Sequence, residues 1–213
     1  MIKKVSIAAL FVALVSLVGG AQAGGDAAAG KDKAGLCMGC HGEDGMSVNP
    51  ECPSLAGQKA GYIIKQVTDF QKGHRQNDTM TAMAMMAGEL QDIKDIAAFY
   101  ASQKPMAASR FMMPPPDDKK SIAEGEKIFE NGNPRTGLYG CINCHGKSGK
   151  GKSKNNHVFP IIGGQTRDYI AKQLKDFRSA TRKNDPANMM MDIAKKLSDK
   201  EIDALADYLG SRN

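Results

Sequence analysis

Four cysteines and two histidines are spaced for covalent chemistry. They stand as Cys37-Met38-Gly39-Cys40-His41 and Cys141-Ile142-Asn143-Cys144-His145. Cys-x-x-Cys-His is the attachment pattern for c-type haem. Each thiol of a pair adds to one porphyrin vinyl group, and two intervening residues let both sulfurs reach the same ring edge. The adjacent histidine then lies under the iron as its proximal ligand. A redox dithiol or half of a zinc site also uses Cys-x-x-Cys. Neither accounts for a histidine in both copies behind an export signal. Cys37, Cys40, Cys141 and Cys144 are therefore expected to be thioether anchors for two covalent haems c, with His41 and His145 as iron ligands.

The elements that must position these residues are also written twice. Gly57-Gln58 matches Gly164-Gln165, and Tyr62-Ile63 matches Tyr169-Ile170. Lys65-Gln66 matches Lys172-Gln173, and Asp69-Phe70 matches Asp176-Phe177. Arg75 matches Arg182, and Asn77-Asp78 matches Asn184-Asp185. Each pair lies 107 positions apart, whereas the haem motifs lie 104 apart, so the second post-motif loop is longer by three. Apolar residues at 63, 66/67 and 70 have helical spacing. A helix is expected over about Gln91 to Ser102. A final one should start near Ser198, with Glu201 completing a capping box and Ile202, Leu205, Ala206 and Leu209 forming the apolar stripe.

A proximal histidine leaves one position on each iron. Filled by a side chain, the iron transfers electrons; left open, it binds or activates small molecules. His74 maps to Thr181 and His157 to Pro50 at the 107 offset, so neither histidine is duplicated. Among the methionines only Met83 and Met190 coincide, and each stands seven residues before a leucine, Leu90 or Leu197. Duplication singles out these two as the sixth ligands. A thioether favours Fe(II), which implies relatively positive potentials. Cys52-Pro53 matches Phe159-Pro160. The proline carbonyl is placed to accept the proximal imidazole N–H. Cys52 then stands where the other copy has an aromatic ring, as a small hydrophobe or a thiol for an intermolecular disulfide. Arg75 and Arg182 are either counter-charges for haem propionates or solvated helix-end charges.

At the N-terminus, Lys3 and Lys4, the uncharged apolar run Val5–Val18 and the small-x-small site Ala21-Gln22-Ala23 read as a cleaved signal peptide over residues 1–23. The run is short for a membrane span, which needs ~20 residues. Residues 24–104 and 121–213 are expected to be two small domains, joined by a linker over 105–120 that contains Met112-Met113-Pro114-Pro115-Pro116. Domains of that size bury little on their own, and a porphyrin would supply an apolar centre for a chain without Trp. Residues 24–104 hold 8 Lys/Arg and 10 Asp/Glu; residues 105–213 hold 19 and 13. The halves thus differ in charge sign, which suits steering of a redox partner. No nucleic-acid-binding motif accompanies the basic half.

The paired haem motifs, the Gly-Gln…Tyr-Ile-x-Lys-Gln segments and the methionine before the terminal helix make the chain resemble the dihaem cytochrome c4 family. The resemblance spans nearly all of residues 24–213. It implies an all-α fold of two tandem class I cytochrome c domains related by a pseudo-twofold axis, with haem edges close across the interface. It implies His41/Met83 and His145/Met190 ligation. It also implies a periplasmic electron carrier, not an enzyme, between a bc1-type quinol–cytochrome c reductase or other donor and a terminal haem–copper oxidase, with peripheral membrane association compatible. The competing expectation is a dihaem electron-accepting subunit of a periplasmic enzyme such as a sulfide-oxidising flavocytochrome. A haem peroxidase would need an open iron and a distal acid–base residue, and the sequence marks none.

Overall fold

The computed structural model describes residues 24–107, 118–152 and 156–212. The signal peptide over 1–23 and residues 108–117 of the expected linker lie outside the described residues. Within them the regular structure is helical, apart from one isolated antiparallel bridge between Asn133 and Leu138.

The first half contains α1 (Ala27–Lys33), α2 (Gly35–His41), α3 (Ala60–Gln71), α4 (Asp78–Met86) and α5 (Leu90–Ser102). The second contains α6 (Lys119–Asn131), α7 (Ile142–His145), α8 (Arg167–Arg178), α9 (Met189–Ala194) and α10 (Asp199–Gly210). Side chains start these helices where orphan N–H groups need acceptors. Asp26 caps α1 and Asp118 caps α6. The expected Ser198/Glu201 capping box starts α10, and Glu89 with Asp92 makes a second box at α5.

In each half the first helix packs on the last. The crossing is so close that backbone meets backbone. A Cβ on Gly30 would fall 1.9 Å from the Asp95 carbonyl oxygen, and one on Gly125 would fall 2.0 Å from that of Ala204. Ile93, Ile96, Ala97 and Tyr100 line the buried face of α5; Ile202, Leu205, Ala206 and Leu209 line that of α10. The spacing of three and four keeps each set on one stripe. Phe99 joins the core of the first half, and Phe129, Ile170 and Leu197 join that of the second.

The halves meet across a buried polar seam built from the repeated residues. The Arg75 guanidinium donates to Gln66 Oε1 in its own half and to Gln173 Oε1 and the Tyr169 hydroxyl across the seam, at 2.7, 2.7 and 3.0 Å. Arg182 mirrors it, donating to Gln173 Oε1 at 2.8 Å and, across the seam, to Gln66 Oε1 and the Tyr62 hydroxyl, both at 3.1 Å. The exchange of equivalent partners is the signature of a local twofold relation. Both arginines are buried, at 9% and 8% exposure, so neither is a solvated helix-end charge. Each guanidinium also lies over a phenylalanine of its own half, Phe70 or Phe177, at 4.8 and 4.4 Å. Met106 is buried in the seam: its N–H donates to Ala56 O, and its carbonyl accepts from Lys150 Nζ at 2.6 Å.

Candidate haem sites

Each motif is a short helical turn that ends on its histidine. In α2, Cys37 and Cys40 lie one turn apart with His41 as the last residue; Gly42 then breaks the helix at φ 82°. In the second half Cys141 caps α7 and His145 ends it, followed by Gly146 at φ 74°. A positive φ suits glycine, which lets the chain turn away directly after the histidine.

Both imidazoles are buried, and burial pushes both below the ordinary histidine pKa. The Nδ1–H of His41 donates to Pro53 O at 2.7 Å, and that of His145 donates to Pro160 O at 2.9 Å. The acceptor expected from the Pro53/Pro160 match is therefore in place. Because a carbonyl can only accept, Nδ1 carries the proton and Nε2 keeps its lone pair for a metal. With two thiols beside it, this donor set fits a c-type haem: the cysteines would hold the porphyrin edge and Nε2 would face the iron.

The methionines are less symmetric. Met83 is the sixth residue of α4, whose N-cap Asn77 accepts from Met80 N–H at 2.9 Å. Met190 is the second residue of the shorter α9, and Asp185 Oδ2 accepts from its N–H at 2.7 Å. The 107-residue frame holds at Asn77/Asn184 but has become 109 by the N-caps Glu89 and Ser198. Leu90 is consequently exposed at 54% while Leu197 is buried at 4%, so the two leucines do not share an environment.

His157 packs against Gly61, where a Cβ would come within 2.9 Å of it, and His74 is an exposed neighbour of Asp69. Cys52 is half-buried; burial and the adjacent Cys40 thiol push its thiol up to about 11. Sequence reasoning did not foresee the roles of Gln58, Gln165 and Lys59. Gln165 pairs with both backbone groups of Ser54, and Gln58 with the N–H and C=O of Ile161. Lys59 Nζ donates to the carbonyls of Asn156 and Phe159 at 2.7 Å each, and Thr166 Oγ1 to that of Cys52 at 3.3 Å. All of these contacts bind the loop behind one histidine to the opposite half. The one available signal was the duplicated Gly-Gln pair itself.

The cytochrome c family model matches residues 27–104 and 122–213. Cytochrome c4 of Pseudomonas aeruginosa is 43% identical over 196 residues, covering 92% of either chain. The chain belongs to the dihaem cytochrome c4 family. The crystal structure of reduced recombinant cytochrome c4 from Pseudomonas stutzeri superposes with a TM-score of 0.79 at 38% identity, covering 89% of this chain and 100% of that one. A thiosulfate dehydrogenase electron acceptor of Stutzerimonas stutzeri is 34% identical over 182 residues, 82% of this chain and 78% of that protein.

Family membership makes this an all-α protein of two cytochrome c domains with two covalent haems c, acting in electron transfer rather than as an enzyme. Haem supplies a one-electron Fe(III)/Fe(II) couple. The chain's part is to hold each imidazole in one tautomer and orientation. Tyr169 is half-buried beside the arginines, its hydroxyl accepting from Arg75; desolvation opposes its ionisation, but the Arg75 and Arg182 charges outweigh that and lower its pKa.

Proposed function

We propose that the protein carries electrons in the periplasm, from a quinol–cytochrome c reductase of the bc1 type or another donor to a terminal haem–copper oxidase. The reading takes residues 1–23 as a cleaved signal peptide, 24–104 and 121–213 as the haem domains, and 105–120 as the linker. Cys37, Cys40, Cys141 and Cys144 are the thioether anchors; His41 with Met83 and His145 with Met190 are the axial pairs. The observation that carries it is the pair of buried histidines, each with Nδ1–H committed to a proline carbonyl, set in two docked halves. Arg75 and Arg182 serve as counter-charges for propionates; in support, their hydrogen-bond partners among the described residues are neutral oxygens. No helix among the described residues is long and apolar enough to cross a membrane, which is compatible with peripheral association.

The test is reconstitution. The purified holoprotein should be reduced by bc1-containing membranes in a quinol-dependent way and reoxidised by oxidase-containing membranes. Inertness towards both would sink this route. A second reading, an electron-accepting partner of a periplasmic dehydrogenase, is favoured by the likeness to a thiosulfate dehydrogenase electron acceptor. Rapid reduction by thiosulfate in the presence of such a dehydrogenase, without transfer from quinol, would select it.

A further inference from the structure

The carbonyl that receives each proximal imidazole belongs to a peptide group whose other end is held from the opposite half. Pro53 C=O and Ser54 N–H are one peptide plane. The carbonyl accepts from His41 Nδ1–H at 2.7 Å, and the N–H donates to Gln165 Oε1 at 2.7 Å. Gln165 Nε2 then donates to Ser54 O at 3.0 Å, so the amide grips the backbone on both sides of Ser54. The second site is the same with the halves exchanged. Pro160 C=O accepts from His145 Nδ1–H at 2.9 Å, Ile161 N–H donates to Gln58 Oε1 at 3.0 Å, and Gln58 Nε2 donates to Ile161 O at 2.8 Å. Gln58 and Gln165 are buried, at 3% and 5% exposure, and Ser54 is fully so.

We infer that each half's glutamine is a positioning residue for the other half's haem, acting through one polarised peptide on the proximal histidine. The inference rests on His41 and His145 being the proximal ligands. The sign follows from hydrogen-bond cooperativity. An N–H that donates to a buried amide oxygen shifts electron density towards its own carbonyl oxygen. That oxygen becomes a better acceptor for the imidazole N–H, and the imidazole becomes a more basic ligand. A more basic ligand favours Fe(III). Gln165 therefore lowers the potential of the haem on Cys37–His41, and Gln58 lowers that of the haem on Cys141–His145. A network confined to one half would not cross the seam in this way.

The experiment is a redox titration of the holoprotein, with the two haems resolved by their separately assigned methyl resonances. Gln165→Met keeps the side-chain length but loses the amide hydrogen bonds to Ser54, together with those to Thr166 N–H and Met106 Sδ. It should shift the Fe(III)/Fe(II) ratio of the first haem about threefold towards Fe(II) at fixed potential, about 30 mV at 59 mV per tenfold, and leave the second haem in place. Gln58→Met should do the reverse. Gln165→Glu retains an acceptor for Ser54 N–H, so the first haem should stay at or below its wild-type potential. Equal movement of both haems, movement only of the haem in the mutated half, no movement, or a rise in the Glu variant would each overturn the inference. A His145→Ala control separates it from the ligand assignment. If that variant keeps both low-spin haems, the proximal ligand is wrong; if it loses one while the glutamine variants shift nothing, only the cross-half link fails.

Discussion

At the scale of single residues, the two histidines and the two methionines proposed as axial ligands differ in how they are held. Each histidine is the last residue of a turn that also carries its cysteines, and a carbonyl fixes its tautomer. The cysteine and histidine candidates stood out in the sequence because thioether chemistry demands a local spacing. Methionine ligation has no such local signature. Only the repeat singled out Met83 and Met190, and the repeat frame drifts by two residues just beyond them. Met83→Ala and Met190→Ala should each abolish the methionine–iron absorption of one oxidised haem and open that iron to carbon monoxide. Retention of both signals in either variant would move the ligand to a neighbour such as Met191. Asp185 also anchors Met190 N–H, and this anchor invites a milder test. Asp185→Ala removes the acceptor of both Met190 and Met191 N–H and should speed displacement of Met190 by added imidazole by about tenfold, the equivalent of ~1.4 kcal/mol. The first haem should be unaffected, and stopped-flow mixing reads both.

At the scale of helices, the framing pair in each half is set by contact between backbones. The expected α10 stripe and its capping box were legible because periodicity and caps are local properties. The glycine crossings were not, since Gly30 meets α5 and Gly125 meets α10 only after the chain has folded back. Gly30→Ala should drive α1 off α5 and cost about 1–3 kcal/mol, the range for overpacking, measured as a lower guanidinium midpoint. The same junction carries a charge cluster. The Lys33 ammonium, donating directly to the Asp95 carboxylate, and the Asp26 N–H hold the Asp95 pKa down at about 2. A carboxylate with a depressed folded-state pKa stabilises above its ordinary value and loses that contribution as pH falls through the folded value. The first half should therefore weaken between about pH 4 and pH 2. In Asp95→Asn that part of the acid slope should vanish, as far-ultraviolet circular dichroism against pH would report.

At the scale of the whole molecule, the seam is where sequence reading reached least far. Gln58 and Gln165 reach backbone groups more than 100 positions away, and Arg75 and Arg182 exchange partners 94 to 120 positions away. Nothing in a local window marks such a contact; the duplicated residues flagged themselves without saying what they touched. The arginines share Gln66 and Gln173 as acceptors, so their energies should not add. A double-mutant cycle on Arg75→Ala and Arg182→Ala should give a coupling of about 0.5–3 kcal/mol in unfolding free energy. Strict additivity would mean that the four groups do not act together.

The exchanged partners across the seam also bear on how the molecule can change over generations. A dimer of identical chains must accept every substitution on both sides of its axis at once. Joining the two copies in one polypeptide removes that obligation. Its effect is already visible around the proximal loops. Lys59 stands at one position and Thr166 at its mate, yet each still reaches a carbonyl of the opposite half. Asn184 is drawn into the seam by Lys65, Gln66 and Asp69, while Asn77 remains a helix cap. A positive charge beside one haem loop, answered by a neutral hydroxyl beside the other, adds to the differences already seen between the methionine segments and makes the two proposed redox centres inequivalent. Inequivalent centres are what give an electron a preferred direction of travel through the protein.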